Sequence, residues 1–281
     1  MIKKTLQYKI TEEDQGKTIE QFLRSKGYSH RLVVKLRNSP TGLTIGGKLA
    51  YTIHRLQAGE ILTAALEEEN SQNIVPVRLP LNIIYEDEDI LVINKDAGVP
   101  IHPSQGHFDH TLANAVAWYY QSKGQTLVYR AINRLDRDTT GLLVIAKHLL
   151  AGCILSDQML HRQIHRQYRA IVCGKTEKEG IIDAPIGRAE DSTVLRRIDF
   201  ENGETARTHY RLLSYDEEKD LSYISLKLDT GRTHQIRVHM DYIGHPLPGD
   251  FLYNPDYRYI SRQPLHSYGL EFIHPLTNNL K

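Results

Sequence analysis

At 281 residues, with 40% apolar and 25% charged side chains, the chain has an ordinary globular make-up and room for one large and one small unit, which excludes a disordered or fibrous polymer. Its apolar stretches, such as Leu142–Ala146, fall far short of the ~20 residues that span a bilayer, and the lysine-bearing N-terminus lacks a secretory leader's apolar run, so no membrane partner and a cytoplasmic location are expected. The net charge of +1 conceals segregation: Arg24–Arg37 and His161–Arg169 contain no acid, while acids gather at Glu67–Glu69, Glu86–Asp89 and Asp216–Asp220, a pattern that suits either a polyanion or plain solvated faces.

In chain order, Thr18–Leu23 and Ser29–Leu36 carry apolar residues at helical spacing, with Arg31 and Lys35 four apart on one face of the second helix. Leu43–Ile45, a Gly46-Gly47 turn and Gly59–Ala64 read as short strands. Helix, basic helix and small sheet resemble the α-L RNA-binding module, although Arg37–Gly42 replaces its usual Val-Asn-Gly turn. The alternative is a small α+β appendage without RNA contact. Glu67–Leu79 is polar and holds prolines at its end, so it reads as a linker. Ile90–Asn94 is then a buried strand and Thr111–Tyr120 an amphipathic helix. Leu142–Ala146, Tyr168–Val172, His209–Leu213, Tyr223–Leu228 and Gln235–His239 read as further strands. Without regular βαβ alternation, the expectation is an α+β fold. Residues 73–281 would form a catalytic domain on a mostly antiparallel mixed sheet with flanking helices. Residues 1–72 would precede it as the small α+β RNA-binding-like unit.

Two segments concentrate chemistry. Asn133-Arg134-Leu135-Asp136-Arg137-Asp138-Thr139-Thr140 sets acids and arginines at the mouth of an apolar strand, where a rigid element would hold them toward a cleft; the bland reading is a charged turn. Leu228–His239 follows a Gly231 turn with Arg232, His234, Gln235, Arg237 and His239, the last three on one face if the segment is a strand. Arginines so placed suit carboxylate or phosphate. The histidines do not match zinc-ligand spacing, and Cys153 and Cys173 are too few for a disulfide framework or a Cys-rich site, so no metal is expected.

These segments resemble the His-Arg-Leu-Asp-x-x-Thr-Ser-Gly-Leu-Leu and Thr-Gly-Arg-Thr-His-Gln-Ile-Arg-Val-His motifs of the RluA-type pseudouridine synthases. Asn94-Lys95 with Gly98, His102 and Pro103 is similar to that family's Lys-Pro-x-Gly loop, and Arg166–Gly174 to its Lys-x-Tyr-x-Ala-x-Val-x-Gly strand. His245-Pro246, Gly249-Asp250, Tyr253, Leu265-His266 and His274-Pro275 are similar to its C-terminal run. Asn133 and Asp96 stand where the family has histidine and proline.

The resemblance implies an RNA uridine isomerase acting on rRNA or tRNA, as a monomer without an obligatory protein partner. Asp136 would be the catalytic aspartate, Arg237 its ion-pair partner and Tyr168 the ring against the uracil. Arg134 would enter the RNA as the target base is extruded, at a cost of a few kcal/mol. Asn133, Arg232, His234, Arg31 and Lys35 would contact RNA, and Leu142 and Ile236 would wall the pocket. Substrate and product are isomers, so no cofactor is required. Two rival readings remain: a non-catalytic RNA-binding protein of the same fold, and a carbohydrate hydrolase using Asp136 and Asp138. The second is disfavoured because residues two apart in an extended segment do not flank one bond as glycosidase carboxylates do.

Overall fold

The computed structural model describes residues 2–69, 74–104, 106, 108–190 and 192–281. The chain opens with β1 (Ile2–Lys9), α1 (Ile19–Ser25), α2 (His30–Arg37), β2 (Leu43–Ile45), β3 (Lys48–Leu49) and β4 (Ile61–Glu68). The four strands form one sheet in the order β1-β4-β2-β3, with β1 and β4 antiparallel along their whole length. Helix α1 starts where Thr18 and Gln21 exchange side-chain and backbone hydrogen bonds, and α2 starts where Ser29 Oγ accepts from the Leu32 N–H. Phe22, Leu23, Leu32, Val33 and Leu36 bury their helix faces against Leu62, Ala64 and Leu66 of β4. Of the expected linker, Glu67 and Glu68 belong to β4 instead, and Asn70–Asn73 lie outside the described residues.

The remainder holds β5 (Ile83–Glu86), β6 (Ile90–Lys95), α3 (Leu112–Ser122), β7 (Thr140–Ala146), α4 (Leu149–Leu160), β8 (His165–Cys173), β9 (Glu179–Asp183), β10 (Ile186–Arg188), β11 (Arg196–Ile198), β12 (Arg207–Asp216), β13 (Leu221–Leu228), α5 (Gln235–Tyr242) and β14 (Leu265–Glu271). Eight strands make one mixed sheet, β5-β6-β7-β14-β8-β13-β12-β9, in which only β7 and β14 run parallel; β10 and β11 pair separately. The α+β expectation therefore holds.

Strand alternation divides the core. Leu91, Ile93, Leu143 and Ile145 meet Leu112 and Val116 of α3 and share a cluster with Tyr168, Ile224, Leu226 and with Ile236 and Met240 of α5. Ile90, Val92, Val144 and Ala146 turn to the opposite face, against Ala151 and Leu155 of α4. Each fully buried Leu or Ile contributes about 1.5–3 kcal/mol, so these two clusters hold the sheet as a rigid plate.

One expected strand is not a strand. Gln235–His239 is the body of α5. Its polar–apolar alternation spans only five residues, too few for a period of 2 to be told from 3.6. A turn supplies the helix start instead: Gln235 Oε1 accepts from the Arg232 N–H and from Thr230 Oγ1.

Candidate active site

The loop bearing Asp136 is tied down at every turn. Ile132 donates to the Val144 carbonyl, and the Asn133 amide bridges β7, donating to Leu142 O at 3.2 Å and accepting from the Val144 N–H at 2.9 Å. Lys95, 2% exposed, spreads its ammonium over three carbonyls: Arg137 at 2.7 Å, Asp96 at 2.8 Å and Val99 at 2.9 Å. Burial pushes its pKa down to about 8, against the pull of Asp138 and Asp136. Gln263 donates to Thr139 Oγ1, fixing the loop's exit. The loop then enters β7 through Gly141 at φ +111°, where a Cβ would lie 2.3 Å from the Ser267 carbonyl oxygen.

Helix α5 supplies the partner. At 100° per residue Gln235 and His239 share one face and Arg237 points the other way. Gln235 and His239 bond Thr208 Oγ1, and His239 also bonds the Ala184 carbonyl, bracing the helix on β12. Arg237, 2% exposed, grips the wholly buried Asp250 through Nε (2.6 Å) and Nη2 (2.7 Å), and extends Nη1 to Asp136 Oδ2 at 3.0 Å. Asp250 also accepts from the Leu252 and Tyr253 N–H groups, so the fork cannot swing. Asp136 alone of the three opens to solvent, its side chain 26% exposed.

His234 lies beside this pair. Its Nε2 is 4.0 Å from Asp136 Oδ2, and its Nδ1 shares a 3.0 Å hydrogen bond with the Tyr253 hydroxyl. Burial lowers the imidazole pKa, so at neutral pH the ring is uncharged, and burial pushes Tyr253 up to about 12. Around Asp136 lies a small open cleft, walled by Tyr168, Leu228, Ile236 and Leu265 and edged by Arg134, Arg166 and Arg232. Tyr168 is buried and its pKa is raised by that burial, so it presents a neutral phenol.

The structure thus brings together Arg134, Asp136, Tyr168, Arg232, His234, Ile236 and Arg237. Four expected site residues lie elsewhere. Asn133 is buried and spends its amide on β7, so it is a strut, not an RNA contact. Leu142 sits one residue out of phase with Leu143 and Ile145, on the α4 face of the sheet, and does not wall the cleft. Arg31 and Lys35 are exposed on α2 in the first unit. Arg232 reaches the cleft edge but is held by Glu204 and by the Thr205 carbonyl. Reading the sequence left Lys95, Arg166, Asp250 and Tyr253 without roles, although all four stand inside segments that carry motif-like residues.

The sequence profile of the family described as RNA pseudouridylate synthase matches residues 89–242, a span that includes Asp136, Tyr168 and Arg237. The chain belongs to the RluA-type RNA pseudouridine synthases. It is 40% identical to the Bacillus subtilis RNA pseudouridine synthase YjbO, with 92% of each chain aligned. It is 42% identical to the ribosomal large subunit pseudouridine synthase D of Nitrosomonas europaea, over 83% of this chain and 70% of that protein. Among solved structures it is similar to human RNA pseudouridylate synthase domain containing 1, with a TM-score of 0.61 and 28% identity, covering 72% and 81% of the two chains. The protein is accordingly an isomerase of this class, with RNA as its substrate.

Proposed function

We propose that this synthase isomerises uridine in rRNA or tRNA with Asp136 as the nucleophile, acting as a cytoplasmic monomer without cofactor, metal or obligatory protein partner. The observation that carries the reading is the Asp136–Arg237 ion pair at the floor of the cleft. A carboxylate backed by a guanidinium and partly open to solvent is placed to attack the ribose C1′ as the C1′–N1 bond breaks, as carboxylates do in retaining glycosidases. Asp250 takes two of the guanidinium's donors, so Arg237 stays fixed behind Asp136 when that carboxylate changes charge. The extruded base would lie against Tyr168, whose face tolerates rotation as a hydrogen bond would not. Arg134, exposed at the cleft edge, would fill the gap left in the RNA. Residues 1–72 would form a separate RNA-binding unit through Arg31 and Lys35, and 73–281 the catalytic domain. The similarity to the Nitrosomonas ribosomal large subunit pseudouridine synthase D favours ribosomal RNA within this choice.

The test is tritium release from RNA labelled at uridine C5. Wild type should release label without added metal, and Asp136→Asn should lose roughly a thousandfold or more while remaining folded. Full activity in the variant would refute the nucleophile. No release from either total rRNA or total tRNA would favour an RNA-binding protein that has kept the fold.

A further inference from the structure

Arg166 stands two residues before Tyr168 on β8, so both side chains leave the same strand face and line the same cleft. Its guanidinium lies beside the Tyr168 hydroxyl and makes a long hydrogen bond from Nη2 to the Thr230 carbonyl at 3.3 Å, and its Nε is sealed from solvent without an acceptor. Arg237 is neutralised by Asp136 and Asp250 and Arg232 by Glu204, whereas among the described residues neither Arg134 nor Arg166 has a carboxylate partner; Arg134 is exposed to solvent, while Arg166 keeps a sealed donor. An unfilled buried donor costs about 1–3 kcal/mol, and such groups call for a ligand or a catalytic role. The chain leaves room for the group: a Cβ on Gly231 would lie 2.8 Å from Arg166 Nη1.

Reaction chemistry indicates which anion is missing. When Asp136 bonds to C1′ and the C1′–N1 bond breaks, the electron pair leaves with N1. The freed uracil then carries a negative charge shared by N1 and its carbonyl oxygens. We propose that Arg166 is a further catalytic residue, donating hydrogen bonds to the detached uracil anion while the base turns against Tyr168. The proposal rests on the reading of Asp136 given above. In the second half the ring's C5 electron pair bonds C1′, and the C1′–O bond breaks with its pair returning to Asp136. C5 yields its proton to that carboxylate, and N1 takes up a proton. Arg166 thus opposes a charge present only between the two steps, so its loss slows chemistry without weakening RNA binding.

The experiment measures single-turnover rate at saturating RNA together with RNA affinity. Arg166→Gln should bind RNA within about threefold of wild type and react on the order of a hundredfold more slowly, with most of the rate restored in Arg166→Lys. With 5-fluorouridine at the target position, the fluorine itself stabilises the anion, and the variant's deficit in glycosidic cleavage should shrink roughly tenfold. A deficit of equal size on both substrates would overturn the proposal, as would a full rate in Arg166→Gln. A loss confined to affinity would overturn it too, assigning Arg166 to an RNA phosphate. Wild type inactive on rRNA and tRNA would refute the Asp136 reading, and this proposal with it.

Discussion

Asp136 owes its position to residues buried behind it. Arg237 is buried, and Asp250 behind it is wholly so; removing one member of such a pair leaves an uncompensated buried charge, at about 3–5 kcal/mol. Asp250→Asn should therefore destabilise the protein by about 3 kcal/mol in denaturant unfolding and lower the turnover rate with little change in RNA affinity. A variant with unchanged turnover would show that the fork does not hold Arg237 in place. Lys95 acts from the other side of the loop, and its titration gives a pH signature. Its pKa falls from an ordinary 10.5 to about 8 on folding, mainly through burial. Between those values the unfolded chain binds more protons than the folded one, so stability from this group rises with pH. The cost of burying the ammonium is complete below about pH 8 and relieved as pH approaches 10.5. Relative to Lys95→Met, wild type should gain about 2 kcal/mol between pH 7 and pH 10. Equal stability differences at the two pH values would contradict this account of Lys95.

Elements differ in how far the sequence betrays them. The apolar runs of β6 and β7 and the helical apolar spacing of α1, α2 and α3 are legible because each states its own geometry. Helix α5 is not, since Ile236 and Val238 between polar residues imitate a strand. The helical geometry is what the site requires: on a strand Gln235, Arg237 and His239 would share a face, and none could brace β12 while another reached Asp136. β1 escapes notice because Lys4 occupies an inward position, an oddity explained by Asp89 at 2.9 Å and Glu88 at 3.1 Å, more than 80 residues away. Asp136, Tyr168 and Arg237 are legible through their motifs. Asp250 and Arg166 carry no local pattern that names a partner, and their importance arises from burial and from missing or matched charge. Leu142 shows the converse: its motif position suggests the pocket, and the two-residue period of β7 sends it to the other face. At the start of β7, Gly141 sits at a φ that L side chains rarely adopt, pressed on the Ser267 backbone. Gly141→Ala should cost about 3 kcal/mol or more, from backbone strain and overpacking together, and displace the Asp136 loop. A melting temperature equal to wild type would refute the close approach of β7 to β14.

Across the whole molecule the two sheets are joined by a continuous interface. Leu150 of α4 is buried in the cluster formed by α1, α2 and β4, with Cys153 and Ile154 beside it. Lys4 bonds Asp89, which also receives His148, and Glu68 takes both the Arg130 guanidinium and the Leu149 N–H at the start of α4. Deleting residues 1–70 would strip one face of α4, take Lys4 from Asp89 and leave Arg130 without its carboxylate, so a truncation would report on stability as much as on RNA. Charge reversal on the intact protein separates the two. Arg31 and Lys35 lie exposed on α2 and form no ion pair among the described residues, although Lys35 shares a pocket with Arg130 and Glu68; surface changes of this kind alter stability by about 0.5 kcal/mol or less. If the first unit holds RNA, each cation lost from a phosphate lowers the salt dependence of binding by nearly one counterion. The Arg31→Glu, Lys35→Glu protein should melt with wild type, bind RNA more weakly at low salt, and show a slope of log affinity against log salt shallower by about 2. Its turnover at saturating RNA should stay at the wild-type value, because neither residue lines the cleft. An unchanged slope would make the first unit a structural support for α4, and leave the recognition of RNA to the catalytic sheet alone.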